Sequence, residues 1–220
     1  MKDNYKLYSI FPTPILINQF KPSTELVNFF SNVKPHPMFK EGVNSVHAGY
    51  YSEDIHILRN QECKELRSFI LDNAMSLATQ VLGHSVKELA DVLSWVSFKT
   101  QGEEHKAHTH PNSFISGVYY YSDIAEDTPI VFKRSRTTAN AQELLVAKDD
   151  SNINQFSSET FTLKPKKGDL ILFPSYLMHL VPKNKHNTIR TSLSMNIMPV
   201  RETGDEEFLT HFRYDDAMGN

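Results

Sequence analysis

Cysteine is nearly missing from this chain: Cys63 stands alone, so there is no internal disulfide and no zinc site built on several thiolates. Long apolar runs are missing too. No stretch approaches the ~18 apolar residues of a membrane span, and the opening Met1-Lys2-Asp3-Asn4 has none of the order of a signal peptide. Positive charge is not in excess: 23 lysines and arginines face 26 aspartates and glutamates, a net of −3, with no basic run to grip nucleic acid. Internal repeats and low-complexity tracts are not found. The expectation is a cytoplasmic protein with neither a nucleic acid nor a membrane as partner. A homodimer is compatible with the sequence.

What the chain does have is the composition of a folded globule: 40% hydrophobic, 22% charged and 11% aromatic over 220 residues. That length predicts one domain burying ~70% of the surface its unfolded chain exposes. Residues 1–90 read as an N-terminal strand with helical support, 91–200 as the core and 201–220 as a tail. From Gln61 to Leu82 the apolar positions Cys63, Leu66, Ile70, Ala74, Leu77 and Val81 recur at spacings of three and four, which predicts an amphipathic helix stopped at Gly83. Cys63 on that stripe reads as a small buried hydrophobe. Ile10 to Phe20, broken by Pro12 and Pro14, suits an edge strand.

From Val92 the pattern changes to short β-like runs. Leu93–Thr100, Phe114–Tyr121, Ile130–Phe132, Phe161–Leu163, Asp169–Phe173 and Ile189–Met198 predict a mainly β sandwich or jelly roll. Between them, Thr137 to Ser158 reads as a long insertion loop with a helical turn around Ala141–Val146. The polar tail from Glu202 is expected to pack as a short helix or to fray.

Three histidines crowd into six positions, His105, His108 and His110. His108 and His110 differ by two, so on an extended strand both imidazoles face one way and can ligate Fe, Zn, Cu or Ni. The same pattern also fits an exposed, histidine-rich strand end. His179, closing the apolar stretch that starts at Asp169, would complete a three-ligand site; in such surroundings it also fits an ordinary core histidine. Arg190, Ser192, Ser194 and Asn196 alternate with apolar residues, so they share a strand face. Turned into a barrel mouth, that face lets Arg190 grip a carboxylate in bidentate fashion with Ser192 adding a hydroxyl. Turned outward, it is a solvated strand face.

Taken together, His108-Thr109-His110-Pro111 and the run to Tyr120, Gly168 to Ser175, His179, and Arg190 to Asn196 resemble a 2-oxoglutarate- and Fe(II)-dependent oxygenase family of bacteria and their viruses. The opening Leu7 to Ile15 is similar as well. The resemblance implies a double-stranded β-helix, one Fe(II), 2-oxoglutarate as cosubstrate with O2, and ascorbate as an auxiliary reductant. It implies release of succinate and CO2 with hydroxylation of an unidentified substrate. By position, His108 and His179 match the two histidine ligands. Arg190 matches the arginine that pairs with the distal carboxylate of 2-oxoglutarate, with Ser192 beside it and Asn196 on the same face. Tyr119 and Tyr121 share a strand face, from which one could hydrogen-bond the cosubstrate; they equally fit core aromatics, and Trp95 reads as core.

One position departs from the superfamily pattern. Where an aspartate or glutamate usually stands two residues after the first histidine, this chain has His110. Either His110 is the third ligand, which its parity with His108 favours, or Glu103, Glu104 or His105 completes the site, or the position is vacant. A third imidazole makes the site one unit more positive than the common 2-His-1-carboxylate set. Arg134 and Arg136 read as a solvated pair. A three-histidine cupin-like metal protein and a redox-inactive binding module are the competing classes, and neither needs a carboxylate clamp at Arg190.

Overall fold

In the computed structural model, which describes residues 6–36, 50–123, 125, 128–134, 151, 153–203 and 210–212, two antiparallel sheets carry the fold. The larger combines β1 (Leu16–Gln19), β2 (Tyr50–Tyr51), β3 (Leu89–Lys99), β5 (Ile115–Tyr119), β8 (Asp169–Pro174) and β10 (Arg190–Pro199) in the order β1-β8-β5-β10-β3-β2. The smaller combines β4 (His105–His108), β6 (Ile130–Lys133), β7 (Thr160–Leu163) and β9 (His179–Val181) in the order β4-β9-β6-β7. This mainly β, two-sheet arrangement is the double-stranded β-helix that the strand pattern predicts. The N-terminal run supplies an edge strand, β1, which begins only after Pro12 and Pro14.

Each face of the larger sheet has its own core. Ile115 and Tyr119 of β5, Leu170 and Leu172 of β8, and Leu193, Met195 and Ile197 of β10 pack on the helical layer. The alternate residues Val118, Tyr120, Ile171 and Phe173 meet Ile130 and Phe132 of the smaller sheet. β5 is therefore buried along its whole length. Gly117 lies where a Cβ would stand 2.6 Å from Met195 Sδ and collide with Leu172, so the close approach of β5 to its neighbours requires glycine.

The helical layer follows from capping and spacing. α1 (Thr24–Ser31) starts where Ser23 Oγ accepts from the Leu26 amide at 3.1 Å, and it buries Leu26 and Phe30, one turn apart. The stretch expected as one helix from Gln61 to Leu82 is preceded by a 3-10 turn at Ile57–Arg59 and is itself subdivided: a 3-10 turn at Gln61–Cys63, then α2 (Lys64–Ser76), then a π-helical turn over Leu77–Val81. The apolar stripe survives as far as Leu77, with Cys63, Leu66, Ile70, Ala74 and Leu77 all buried, but Val81, expected on it, is turned out to solvent at the end of the π-helical turn. Burial pushes the Cys63 thiol up to about 12, which suits a small hydrophobe and not a nucleophile. The tail corrects its expectation: β11 (Arg201–Thr203) and β12 (Thr210–Phe212) pair antiparallel, where a helix or fraying was expected. The proposed turn at Ala141–Val146 lies outside the described residues. Among those described, no helix is long and apolar enough to cross a membrane.

One ion pair fastens this layer to the sheet. Arg67 Nε on α2 lies 2.6 Å from Asp91 Oδ1 on β3, and Asp91 is fully buried with its second oxygen unpartnered among the described residues. Removing the arginine alone strands a buried carboxylate. Arg67→Ala should destabilise the fold by roughly 3 kcal/mol, the low end for a buried pair because Arg67 is partly exposed. The Arg67→Ala/Asp91→Asn double variant should lose less. Urea denaturation of the three proteins checks this, and a double variant weaker than the single one would contradict it.

Candidate metal centre

Pairing of the short strands β4 and β9 sets His108 directly across from His179. His110 follows just beyond β4, where its backbone amide donates to Ser175 O at 3.0 Å. The ring centroids of His108 and His179 are 4.4 Å apart, those of His108 and His110 5.0 Å, and those of His110 and His179 5.1 Å. Their candidate ligand nitrogens all lie within 4.8 Å of one another. Among the described residues, this is the group of His, Cys, Asp and Glu side chains that converges closely enough for one ion.

The donor chemistry fits a metal. His108 Nδ1 sits 2.7 Å from Lys106 O and His179 Nδ1 sits 3.0 Å from Leu177 O. A carbonyl only accepts, so each Nδ1 carries the proton and each Nε2 presents its lone pair. Burial, reinforced by the neighbouring His108, pulls His110 down to about 4. Burial also takes His179 down to about 3, against the opposing effect of its Leu177 bond. Both rings are then neutral, and thus ligand-competent, at neutral pH. The rings of Phe173, at 4.7 Å, and Phe132, at 6.2 Å, keep water from His179.

The other acidic and imidazole candidates are occupied elsewhere. Glu103 Oε2 accepts from the Thr100 amide at 2.8 Å, Glu104 does not join the cluster, and His105 Nε2 lies 3.2 Å from Tyr51 Oη. Arg134 binds Phe156 O at 2.8 Å, and Arg136 lies outside the described residues.

The polar face of β10 turns into the same cavity. Arg190, Ser192 and Ser194 line it together with the three imidazoles. Arg190 is 8% exposed, and its guanidinium donates to Tyr120 Oη at 3.2 Å and to Pro129 O at 3.3 Å. It has no carboxylate partner among the described residues. Other expectations need correction. Tyr119 donates its hydroxyl to Phe20 O at 3.0 Å and Tyr121 stacks on Phe30 at 4.3 Å, so both face the helical layer and not the cavity. The tyrosine between them, Tyr120, is the one facing inward. Asn196 shares the strand face of Arg190 but not the cavity: its Oδ1 accepts from Ser116 Oγ at 3.2 Å in a buried cluster with Ser175. Trp95 lines the cavity instead of the core, and Lys99 joins it unannounced by the sequence.

Against this geometry, residues 93–196 match the family model described as "Putative 2OG-Fe(II) oxygenase". Over that stretch, which holds the three histidines and Arg190, the chain is similar to the 2OG-Fe(II) oxygenase family. It is an oxidoreductase of the class that consumes 2-oxoglutarate and O2. Solved structures resemble it in fold. A Pseudomonas putida prolyl-4-hydroxylase shares 11% identity at a TM-score of 0.55, over 85% of this chain and 93% of the other. The non-heme alpha ketoglutarate dependent epimerase SnoN of nogalamycin biosynthesis shares 11% at 0.57, over 86% and 80%. HygX of Streptomyces hygroscopicus, solved with nickel and 2-oxoglutarate, shares 13% at 0.54, over 85% and 83%. No curated protein sequence matches the chain.

The buried imidazoles make the metal-free oxygenase acid-sensitive in a defined window. His110 and His179 stay unprotonated in the fold until about pH 4 and about pH 3, yet take up protons near pH 6.5 once unfolded. The unfolded state therefore binds more protons below that value. Stability should be flat above about pH 7 and fall as pH drops through 6.5 toward 4. Chemical melts at pH 7 and pH 5 measure the slope, and His179→Gln should flatten it; identical slopes in both proteins would contradict the assignment.

Proposed function

We propose that this chain hydroxylates a C–H bond of a prime substrate by coupling it to oxidative decarboxylation of 2-oxoglutarate, with His108, His110 and His179 holding Fe(II) and Arg190 holding the distal carboxylate of 2-oxoglutarate. The observation that carries the reading is Arg190: a buried guanidinium without a carboxylate partner among the described residues, lining the same cavity as three converging imidazoles. The Fe(II), when bound, supplies O2 activation, with ascorbate able to restore its reduced state.

The chain's own residues bind, orient and exclude water. Lys106 O and Leu177 O hold the ring tautomers of His108 and His179, leaving Nε2 free for the metal. Tyr120 Oη and Pro129 O hold the Arg190 guanidinium before a ligand arrives, which lowers the ordering cost of a two-pronged grip. Ser192 lines the cavity beside it, while Phe173, Ile130 and Val118 form its apolar wall. One domain with its catalytic core in residues 91–200 suffices for this chemistry. A reducing, cytoplasmic setting suits both Fe(II) and a lone cysteine.

Anaerobic titrations separate the two halves of the proposal. His110→Ala should lose most of its Fe(II) affinity, whereas Arg190→Ala should bind Fe(II) like wild type and 2-oxoglutarate ~30-fold or more weakly, as for loss of a charge-assisted, partly buried pair. Arg190→Lys should recover only part, because an ammonium cannot reproduce the fork. Equal 2-oxoglutarate affinities for wild type and Arg190→Ala would end the clamp assignment, and Fe(II) binding undiminished in His110→Ala would move the third ligand elsewhere.

A further inference from the structure

The cavity holds a second buried cation that the cosubstrate does not account for. Lys99 is 3% exposed, and its Nζ has no hydrogen-bond partner among the described residues, although a buried ammonium without one is strongly disfavoured. Its Nζ stands over the Tyr51 ring, 5.6 Å from the centroid. Glu103 draws its charge electrostatically but spends its Oε2 on the Thr100 amide.

Strand register explains where this cation points. Along the β3–β10 pair, Lys99 stands opposite Arg190, Ser97 opposite Ser192 and Trp95 opposite Ser194, and all six line the cavity. The two strands thus present parallel columns of donors. Arg190 leans away from β3, toward Tyr120 and Pro129. Lys99 leans the other way, over Tyr51 of β2. The cations diverge, and one carboxylate held by Arg190 leaves Lys99 unserved. At the other end of the β3 column, the Trp95 indole N–H is also buried without a partner among the described residues, and its ring centroid lies 6.4 Å from that of His110. The column therefore runs from beside the metal ligands, at Trp95, to the buried ammonium of Lys99. Charge points the same way. Among the described residues no acidic side chain lines the cavity, and three imidazoles add no negative charge, so a divalent metal, Arg190 and Lys99 outweigh the two charges of 2-oxoglutarate.

Resting on the oxygenase reading above, we propose that the prime substrate is an oxyanion-bearing molecule, carrying a carboxylate or a phosphate, whose anionic group docks on Lys99 while its body lies along the β3 column past Trp95 toward the metal. Lys99 sets specificity, and Arg190 is left to the cosubstrate.

Trp95 is the only tryptophan, so its fluorescence reports on this column directly. In Mn(II)-loaded protein under nitrogen, inorganic phosphate should change Trp95 emission saturably, and should still do so with 2-oxoglutarate at saturation. In Lys99→Met the phosphate response should weaken at least 10-fold, with 2-oxoglutarate affinity within ~3-fold of wild type. Arg190→Ala should show the converse. Lys99→Met keeps the aliphatic stem and removes an unpartnered buried charge, so its melting temperature should not fall, which separates lost binding from lost fold. Three results would overturn the proposal: an undiminished phosphate response in Lys99→Met, competition between phosphate and 2-oxoglutarate, or a loss of 2-oxoglutarate affinity in Lys99→Met matching that in Arg190→Ala. Wild type that ignores 2-oxoglutarate yet keeps a Lys99-dependent phosphate response would instead sink the cosubstrate reading and leave the anion site standing.

Discussion

The pairing of β10 with β3 on one side and β5 on the other is the constraint from which the rest of the molecule follows. β10 alternates strictly, so its apolar residues Leu193, Met195 and Ile197 face the helical layer while Arg190, Ser192 and Ser194 face the cavity. Side chains in a strand repeat every two residues, so a slip of one position would bury the serines against α2 and expel the guanidinium. Hydrophobic burial on one face thereby fixes the chemistry on the other. The register is pinned further by the Arg67–Asp91 pair at one end of β3 and by Gly117, where β5 comes too close to Leu172 and Met195 for any Cβ.

The same alternation explains which parts of the site are legible in the sequence. The jelly roll shows through because its strands are short runs bounded by turn residues, and the observed limits differ from the expected ones by only a few positions, as at Leu89–Lys99 against Leu93–Thr100. His108 and His110 are legible by parity, and Arg190 is legible because its strand has a clear polar face. Tyr119 to Tyr121 are not. β5 is buried on both faces, so no polar side marks which tyrosines turn inward, and all three are misassigned if parity is chosen wrongly. Asn196 has the right parity, but Ser116 and Ser175 engage it in a buried cluster beyond the cavity. Lys99 is hidden for a different reason. A lysine at a strand end beside Thr100-Gln101-Gly102 looks solvated, and only the register against Arg190 reveals that it points into the cavity.

The histidine in place of a carboxylate has consequences beyond the ligand set. An anionic ligand would offset part of a metal's charge inside the cavity, whereas His110, as the proposed third ligand, would offset none. The cavity tolerates this because burial keeps His110 and His179 unprotonated, so those two rings add no charge before an ion arrives. Repulsion is thus confined to Arg190 and Lys99, which lie on facing strand positions but lean apart.

That electrostatic arrangement couples the ligands to one another. A divalent ion entering a cavity that already holds two buried cations meets repulsion, which a bound dianion relieves. A dianion entering a cavity with the ion in place gains an attraction that the metal-free cavity lacks. By linkage the two statements are one free energy, and it acts reciprocally: 2-oxoglutarate held on Arg190 as proposed would raise metal affinity by the factor with which metal would raise 2-oxoglutarate affinity. The conventional carboxylate ligand would shrink that factor, since it neutralises part of the ion's charge before the cosubstrate does. With three imidazoles the coupling falls on the ligands themselves. Because these ligands bind the fold and not the unfolded chain, each also stabilises the strand register that positions the next.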